Sequence, residues 1–334
     1  MTVLVTGGAG YIGSHMVLKL LEHNEEVVVI DNLSTGNEWA VSPQATFYKA
    51  DIADPEALDT IFSNHKIDAI IHFAGLIIVS ESVEVPLDYY SENTCKSRFL
   101  IQHALDAKVE NFIFSSSAAV YGAPGLEPVS EAAPFAPESP YGTSKLMTEL
   151  MLRDVAAANP GFRYAALRYF NVAGADPQMR AGQSSRLSTH LIKIAAEAAT
   201  GKRDGLQIFG DDFQTPDGTC VRDYIHVTDL AGAHYCALTY LRNGGASIAA
   251  NCGYGSGYSV RQVVDAVKAV SGVDFKVTQA PRRAGDAAMI VADSTLARDA
   301  LGWSPEFEDL ETVIRHALQW ERNLGNRTGG NPAG

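Results

Sequence analysis

The chain has 334 residues, which is enough to bury a large core, and we expect two lobes. Its 26 basic and 39 acidic side chains give a formal charge of −13, which argues against nucleic acid or an anionic membrane as the main partner. The four cysteines include no CxxC pair and the nine histidines show no ligand spacing, so neither disulfides nor a metal site is expected. Because no apolar run approaches roughly 18 residues and the chain opens directly on a strand pattern, we expect a cytoplasmic protein without a signal peptide.

The first half of the chain alternates short apolar runs with amphipathic segments. Runs that are β-branched and apolar on both faces predict buried parallel strands at 2–6, 26–31, 46–52, 68–75, 111–117 and 164–172. The segments between them predict helices at 11–22, 55–65, 87–107 and 141–158. Strict alternation of strand and helix indicates an α/β fold with a Rossmann-type doubly wound parallel sheet over residues 1–172.

The second half is predicted to be a smaller α+β substrate-binding domain over 173–322, with a segment near 220–243 returning to the first domain. A helix is predicted at 187–200, between long polar loops. Another follows Ser259, which forms a capping-box pattern with Gln262, and Gly272 is expected to end it. The glycine-rich end of the chain, 323–334, is expected to be disordered.

A glycine-rich turn links the first strand to the first helix. Gly7, Gly10 and Gly13 have a GxxGxxG spacing, which lets backbone approach a pyrophosphate at the amino end of a helix. Tyr11 and Ile12 then lie at that helix start, against the phosphates. The position between strand and helix makes this a predicted dinucleotide site.

The next strand ends in Asp31, 18 residues after Gly13. A carboxylate there can bind both adenosine ribose hydroxyls and would repel a 2′-phosphate, and no arginine follows directly, so NAD is favoured over NADP. The alternative is an aspartate that only caps a loop. The remaining cofactor-binding positions expected at the strand ends are Asn32, Ser34, Asp51, Ile52, Phe73, Ala74 and Gly75.

The chemistry is predicted to come from a serine, a tyrosine and a lysine. Ser117 ends the fifth strand, and Tyr141 and Lys145 lie one turn apart at the start of a helix. A nearby ammonium, the helix amino end and oxidised nicotinamide all favour the phenolate, so we expect a lowered pKa for Tyr141. Tyr141 is then the general base, Lys145 its electrostatic partner and a ribose ligand, and Ser117 a hydrogen-bonding relay.

Ten motifs occur in order: VTGGAGYIGSH, DNLS, FAG, ESVEVPLDYY, FSSSAAVYG, SPYGTSK, LRYFN, IFG, DGTCVRDYIHV and PRRAGD. With them the chain resembles the extended short-chain dehydrogenase/reductase family, and within it the UDP-glucose 4-epimerases. The resemblance implies reversible inversion at carbon 4 of a UDP-hexose through a 4-keto sugar, with tightly held NAD as hydride acceptor and donor. It also implies a homodimer joined by the helices at 87–107 and 141–158.

The resemblance implies further ligands by position. Phe170 is expected to touch the cofactor. The substrate is expected to contact Ser117, Tyr141, Asn171, His190, Leu191, Gln207, Ile208, Phe209, Arg222, Arg283, Asp286 and Ile290, with the two arginines on the diphosphate.

Four positions affect the expected ligand preference. Ile77 stands where the family usually has a lysine, Glu92 precedes Asn93 where two asparagines are usual, and His190 replaces an asparagine. Ile290 occupies the position that governs sugar size, and its intermediate bulk favours unacetylated sugars.

Four alternatives are weighed from the sequence. A nucleotide-sugar 4,6-dehydratase would need an acidic pair after Ser117, where the chain has Ala118 and Ala119. A decarboxylating sugar synthase, or a 4-epimerase of another UDP-sugar such as an N-acetylhexosamine, pentose or uronate, differs mainly in the pocket. A non-catalytic NAD-binding sensor would not need the serine, tyrosine and lysine.

Overall fold

The computed structural model describes residues 1–185, 188–283 and 286–327. Its strands are β1 (Thr2–Thr6), β2 (Glu26–Asp31), β3 (Thr46–Lys49), β4 (Ile67–His72), β5 (Asn111–Ser117), β6 (Arg163–Tyr169), β7 (Asn171–Ala173), β8 (Gly205–Phe209), β9 (Val221–His226), β10 (Ile248–Cys252), β11 (Gly257–Ser259), β12 (Lys276–Ala280) and β13 (Met289–Ile290). Its α-helices are α1 (Tyr11–Glu22), α2 (Pro55–Asn64), α3 (Val79–Glu84), α4 (Pro86–Tyr89), α5 (Lys96–Asp106), α6 (Pro140–Ala158), α7 (Leu191–Ala199), α8 (Val227–Arg242), α9 (Val260–Ser271), α10 (Thr295–Leu301) and α11 (Leu310–Arg327).

The central sheet has seven parallel strands in the order β10-β6-β5-β4-β1-β2-β3. The strand order reverses between β1 and β4, so a crevice opens at their carboxyl ends, which is where ligands bind in such sheets. The predicted Rossmann-type doubly wound fold is confirmed.

Helices cover both faces of this sheet. Along β1, Val3 and Val5 face one core, which α1 and α8 close, whereas Leu4 faces a second core closed by α2, α5 and α6. Alternating side chains of a doubly covered strand therefore explain why its sequence is apolar throughout.

Two smaller sheets form the second lobe. In one, β9 pairs with β7, β11 and β13, and in the other β8 pairs with β12. A third core lies between these sheets and α7, α9 and α11. The capping box of Ser259 and Gln262 is confirmed at the start of α9, and Gly272, at φ +70°, ends that helix as expected.

Two predicted elements are interrupted. The strand expected at 164–172 breaks at Phe170, because β6 stays in the central sheet while β7 leaves to pair with β9. The helix expected at 87–107 is divided into α4 and α5 by a π-helical turn at Tyr90–Cys95. Such turns often occur at functional sites.

Other boundaries also differ from the prediction. The return to the central sheet extends beyond the predicted 220–243, because β10 lies beside β6. Helix α7 begins at Leu191 rather than at 187, which lies outside the described residues. Residues 323–327, expected in a disordered tail, form the end of α11, and 328–334 lie outside the described residues.

None of the helices in the described ranges is long and apolar enough to cross a bilayer. The same ranges contain no group of three or more His, Cys, Asp or Glu side chains suited to a metal ion.

Candidate active site

The glycine turn between β1 and α1 is shaped by close backbone contacts. Gly7 has a φ of +71°, and a Cβ atom there would lie 2.7 Å from the backbone nitrogen of Ala74. A Cβ atom on Gly13 would lie 2.1 Å from the Gly7 carbonyl oxygen. Side chains at these positions would clash, so the glycine spacing is explained by the tight turn and by close packing of helix on strand.

The amino end of α1 is free to bind an anion. Its N-cap residue is Gly10, and no side chain caps it. The Tyr11 hydroxyl donates to the Gly174 carbonyl at 2.7 Å, and Ile12 packs on the core, so both side chains point away from the turn. Their backbone amides, which have no intrahelical acceptor, are therefore the groups that can bind phosphate.

Asp31 ends β2 beside this turn. Its carboxylate is buried and accepts from the backbone amides of Ala9 at 2.9 Å and Leu33 at 2.8 Å. Burial raises its pKa, although both amides act in the opposite direction. Asn32 and Ser34 follow on the exposed rim, where the Ser34 amide donates to the Asn32 side chain at 3.0 Å.

Asp51 and Ile52 lie beyond β3. Burial alone raises the pKa of Asp51, but hydrogen bonds from Lys96, Ala53 and Asn32 outweigh it and hold that pKa below its usual value. The Lys96 ammonium lies 2.7 Å from Asp51 and also 2.7 Å from Glu92. Glu92, at the unusual position, is therefore ion-paired at this rim.

The segment after β4, residues 73–75, is held close to the glycine turn. The Ala74 amide donates to the Thr6 hydroxyl at 3.3 Å, and Phe73 packs against His234. A Cβ atom on Gly75 would lie 2.7 Å from the side-chain oxygen of Asn93. This segment therefore brings its backbone close to the glycine turn, at the sheet edge where the cofactor is expected.

Ser117, Tyr141 and Lys145 converge at the carboxyl end of β5. Ser139 caps α6 by accepting from the Gly142 amide at 3.2 Å, which sets Tyr141 in the first turn of the helix. The Lys145 ammonium lies 5.9 Å from the centre of the Tyr141 ring and donates to the Ser115 carbonyl at 3.0 Å. Ser117 lies close enough to Tyr141 to lower the pKa of its hydroxyl, and its own Oγ accepts from the Ala119 amide at 3.2 Å.

The pKa of Tyr141 shifts in the direction opposite to our expectation. Burial raises it, and the hydrogen bond from Ser117 lowers it only in part. Burial also lowers the pKa of Lys145 to about 8, against the influence of Glu149. The sequence spacing does not reveal this burial, so the expected lowering is wrong for the protein without its cofactor.

A second group of predicted residues meets on β9 and β13. Arg222 on β9 lies opposite Ile290 on β13 in the strand register. The Arg222 guanidinium lies 3.9 Å from the Asp286 carboxylate. The position expected to govern sugar size thus pairs directly, in the sheet, with an arginine expected on the diphosphate.

The residues on β8 divide between the two faces of the strand. The Arg283 guanidinium stacks on the Phe209 ring at 3.8 Å, and Gln207 is exposed. The Ile208 side chain is buried in the core of the second lobe, so only its backbone faces outward for a ligand.

An apolar cluster connects the two groups. Phe170 and Ile290 both pack against the residues that follow Ser117, namely Ala118, Val120 and Tyr121. Asn171, next to Phe170, begins β7 opposite Tyr224 of β9. At Phe170, between β6 and β7, the chain therefore passes from the catalytic end of the central sheet to the second lobe.

His190 lies at the start of α7, directly before Leu191. Its Nδ1 atom lies 3.0 Å from the Gln183 side-chain nitrogen, and burial lowers its pKa. A neutral ring is therefore expected here. No measured contact joins His190 or Leu191 to the Arg222 group.

Sequence reasoning missed several polar residues of the site. Asn93 bonds the backbone of Leu76 and the Ser144 hydroxyl, and the Tyr169 hydroxyl lies 2.7 Å from that of Ser115. The buried Glu149–Arg168 pair near Lys145 was also missed. The spacing in the sequence could have indicated Glu149, because it follows Lys145 by four residues, just as Lys145 follows Tyr141.

These residues fit a dinucleotide cofactor. The two glycines keep the turn free of side chains, and the uncapped end of α1 offers amides. Asp31 holds a carboxylate beside that turn, where an acidic residue binds the ribose in this fold. Nothing in the donor set conflicts with NAD.

Comparisons with known proteins agree with this geometry. The model of the NAD dependent epimerase/dehydratase family matches residues 3–253. A UDP-glucose 4-epimerase of Azospirillum brasilense is 52% identical over 99% of this chain and 96% of its own. The crystal structure of a UDP-glucose 4-epimerase from Bifidobacterium longum with NAD⁺ and UDP is 37% identical, covers 99% of this chain and 100% of its own, and has a TM-score of 0.92.

One further neighbour bears on sugar choice. The UDP-Glc/GlcNAc 4-epimerase of Campylobacter jejuni is 48% identical, covers 96% of this chain and 99% of its own, and has a TM-score of 0.84. Both the sequence relatives and the folds match over nearly the full length. The chain therefore belongs to the NAD dependent epimerase/dehydratase family.

Proposed function

We propose that this protein interconverts UDP-glucose and UDP-galactose by inverting carbon 4, with NAD retained between turnovers. The observation that carries the proposal is the meeting of Ser117, Tyr141 and Lys145 at the sheet edge beside the glycine turn. A sensor would not need these three groups, and a dehydratase would need acids where Ala118 and Ala119 stand.

Proton transfer centres on the Tyr141 hydroxyl. As general base, its oxygen accepts the proton of the sugar 4-hydroxyl, and it returns that proton when the other face of the 4-keto sugar is reduced. Ser117 lies near the same hydroxyl, lowers its pKa, and is proposed to relay the proton. Lys145 supplies positive charge that favours the tyrosinate. Bound NAD would supply the hydride acceptor and donor.

The UDP moiety is proposed to lie across β8, β9 and β13. Arg222 and Arg283 offer planar forks suited to a diphosphate, which an acidic protein would otherwise repel. Phe209 and Gln207 are proposed to line the uridine, with Asp286 on its ribose. Asn171 is proposed to contact the nucleotide sugar.

Sugar size is proposed to depend on Ile290. Ile290 and Phe170 pack against the same small cluster after Ser117, so the bulk of Ile290 is proposed to limit the space around the sugar. We propose the unacetylated pair as substrates. The Campylobacter jejuni enzyme, named for both UDP-Glc and GlcNAc, makes an N-acetylhexosamine the first alternative to test.

We also propose a cytoplasmic homodimer whose cofactor domain comprises residues 1–172 together with the returning segment that ends in β10. Leu87 on α4 is 78% exposed, Val83 on α3 63% and Met147 on α6 40%. These three side chains define an apolar face, and α3 and α4 pack against α6. An exposed apolar face of this kind suits a subunit contact.

The test uses purified protein with UDP-galactose and no added NAD, with UDP-glucose formation followed by chromatography. Wild type should convert the sugar, and Tyr141→Phe should be slower by about 10²–10⁴-fold, since it loses its general base. Tyr164→Phe, a half-buried tyrosine at the opposite end of the sheet, serves as the matched control. If wild type fails both alone and with added NAD, the substrate assignment is wrong.

A further inference from the structure

A buried ion pair lies behind the proposed catalytic residues. Arg168 on β6 and Glu149 on α6 have side chains only 4% and 6% exposed. The Arg168 Nε atom donates to Glu149 at 3.0 Å and its Nη2 atom at 2.6 Å, so the guanidinium and carboxylate are joined by two parallel bonds. This geometry is the strong form of an arginine–carboxylate contact.

The pair also holds neighbouring elements. The Ser116 hydroxyl donates to Glu149, which ties α6 to the carboxyl end of β5. Arg168 donates to the Tyr121 hydroxyl at 2.8 Å and stacks over the Phe135 ring at 4.8 Å. Two successive residues of β5 thus each bind one part of the site: the Ser115 carbonyl accepts from Lys145, and the Ser116 hydroxyl donates to Glu149.

Glu149 is one helical turn beyond Lys145 on α6, so the two side chains share a face. The other titratable groups that face Lys145 are Tyr141, His72 on β4 and Tyr169 on β6. Burial raises the pKa of both tyrosines, and burial and Lys145 lower the pKa of His72 to about 3, so these groups are neutral. Among the described residues around Lys145, Glu149 supplies the negative charge.

We propose that the Glu149–Arg168 pair has a positioning role in the reaction. Glu149 keeps Lys145 protonated, and Arg168 holds Glu149 in place next to Lys145. A role in stability alone is a weaker explanation, because buried ion pairs often contribute little net stability compared with apolar residues of the same volume. The inference rests on the proposed function, in which the Lys145 ammonium favours the Tyr141 phenolate.

The test compares three variants across pH. Glu149→Gln removes the negative charge, Glu149→Asp keeps it, and the double variant Glu149→Met with Arg168→Met removes both charges without leaving one unpaired. The first readout is the pH profile of kcat/KM for the holoenzyme. The second is the titration of the Lys145 ε-carbon by NMR of ¹³C-lysine-labelled protein, identified by comparison with Lys145→Arg.

The pH profile of kcat/KM and the midpoint of the Lys145 titration should both move to lower pH. The shift should be about one pH unit in Glu149→Gln and less in the double variant, since a nearby opposite charge shifts a titration by this order. Glu149→Asp should follow wild type. The matched control is Glu25→Gln, which removes a carboxylate bonded to Arg242 at 2.5 Å near the start of β2. It should change the unfolding temperature but neither pH readout.

The outcomes separate the two proposals. A wild-type protein without turnover contradicts the proposed function, and the NMR titration then still tests the pair. A Lys145 titration that is the same in wild type, Glu149→Gln and the double variant overturns the positioning role. Should Glu149→Gln not fold, the double variant decides, because its core is neutral and well filled.

Discussion

Tyr141 and Lys145 are both buried, and burial favours the uncharged form of each. It raises the pKa of the tyrosine and lowers that of the lysine to about 8. Each pKa unit corresponds to about 1.4 kcal/mol, so forming a tyrosinate beside an ammonium has to be supported by surrounding charges. Glu149 acts on the lysine and Ser117 on the tyrosine, which makes residues that do not react part of the reaction's electrostatics.

Asp31 should decide the choice between NAD and NADP. Asp31→Ser should raise the NADP-to-NAD affinity ratio by about tenfold or more, because the carboxylate that repels a 2′-phosphate is gone. Protein stripped of cofactor would be titrated with each dinucleotide and followed by tryptophan fluorescence. Asp54→Ala, which removes the side-chain cap of α2 in the same lobe, should destabilise the protein without changing the ratio. An unchanged ratio in Asp31→Ser would place the ribose elsewhere.

At the scale of elements, the π-helical turn at Tyr90–Cys95 directs Asn93 inward. Its amide nitrogen donates to the Leu76 carbonyl at 3.0 Å and the Ser144 hydroxyl at 3.1 Å, and its oxygen accepts from the Leu76 amide at 2.7 Å. One side chain thus joins the segment after β4 to α6, which carries Tyr141. Because of this turn, one side chain of a helical segment that packs on the sheet reaches the cofactor crevice.

Asn93→Ala should lower the free energy of unfolding by about 2 kcal/mol, since it leaves two half-buried backbone groups of Leu76 unpaired. It should also release NAD faster, because the segment beside the glycine turn loses its support. Urea unfolding and the NAD retained after gel filtration measure the two effects. Asn159→Ala, which removes a similar amide bond at the end of α6, is the control. Equal NAD retention in both variants would contradict the role given to Asn93.

The elements also show what a sequence can predict and where it fails. The alternating sheet, α1, α2, α6 and the capped α9 follow from local patterns, and so do Gly7, Asp31 and Tyr141, because motif and strand end coincide. Strand β10 was missed because its pairing with β6 joins segments about 80 residues apart, which no local pattern encodes. The raised pKa of Tyr141 was missed for a related reason: burial is a property of packing.

Asp223 on β9 should make stability depend on pH. Burial raises its pKa to about 6, even though the amides of Tyr254, Gly255 and Ala292 bond it. Between about pH 4 and pH 6 the folded protein then binds more protons than the unfolded chain, so this group's contribution to stability falls as pH rises. Relative to Asp223→Asn, wild type should lose about 3 kcal/mol across this window, measured by urea unfolding.

The control for this prediction is a carboxylate with the opposite shift. Hydrogen bonds from Thr295 lower the pKa of Asp293, so its contribution should be lost as pH falls. Relative to Asp293→Asn, wild type should therefore become less stable toward acid. If Asp223→Asn shows no pH-dependent difference from wild type, Asp223 is ionised in the folded protein at the same pH as in the unfolded chain.

At the scale of the whole molecule, the two lobes are joined by specific polar contacts around the crevice. The Tyr11 hydroxyl reaches the Gly174 carbonyl, and the Asn37 side chain donates to the Ser184 hydroxyl at 3.0 Å. Both contacts connect cofactor-side segments, α1 and the loop after β2, to the loop after β7. The two lobes are therefore tied together on this side of the crevice.

The proposed dimer predicts what one charge on the apolar face would do. Leu87→Glu should weaken self-association by at least about tenfold, because the contact would bury an unpaired carboxylate. Sedimentation velocity over a range of concentrations should show a dimer for wild type and a monomer for the variant. Val273→Glu places the same charge on an exposed apolar residue of the second lobe and should remain dimeric. A wild type that sediments as a monomer refutes the dimer, and a dimeric Leu87→Glu would mean that another surface forms it.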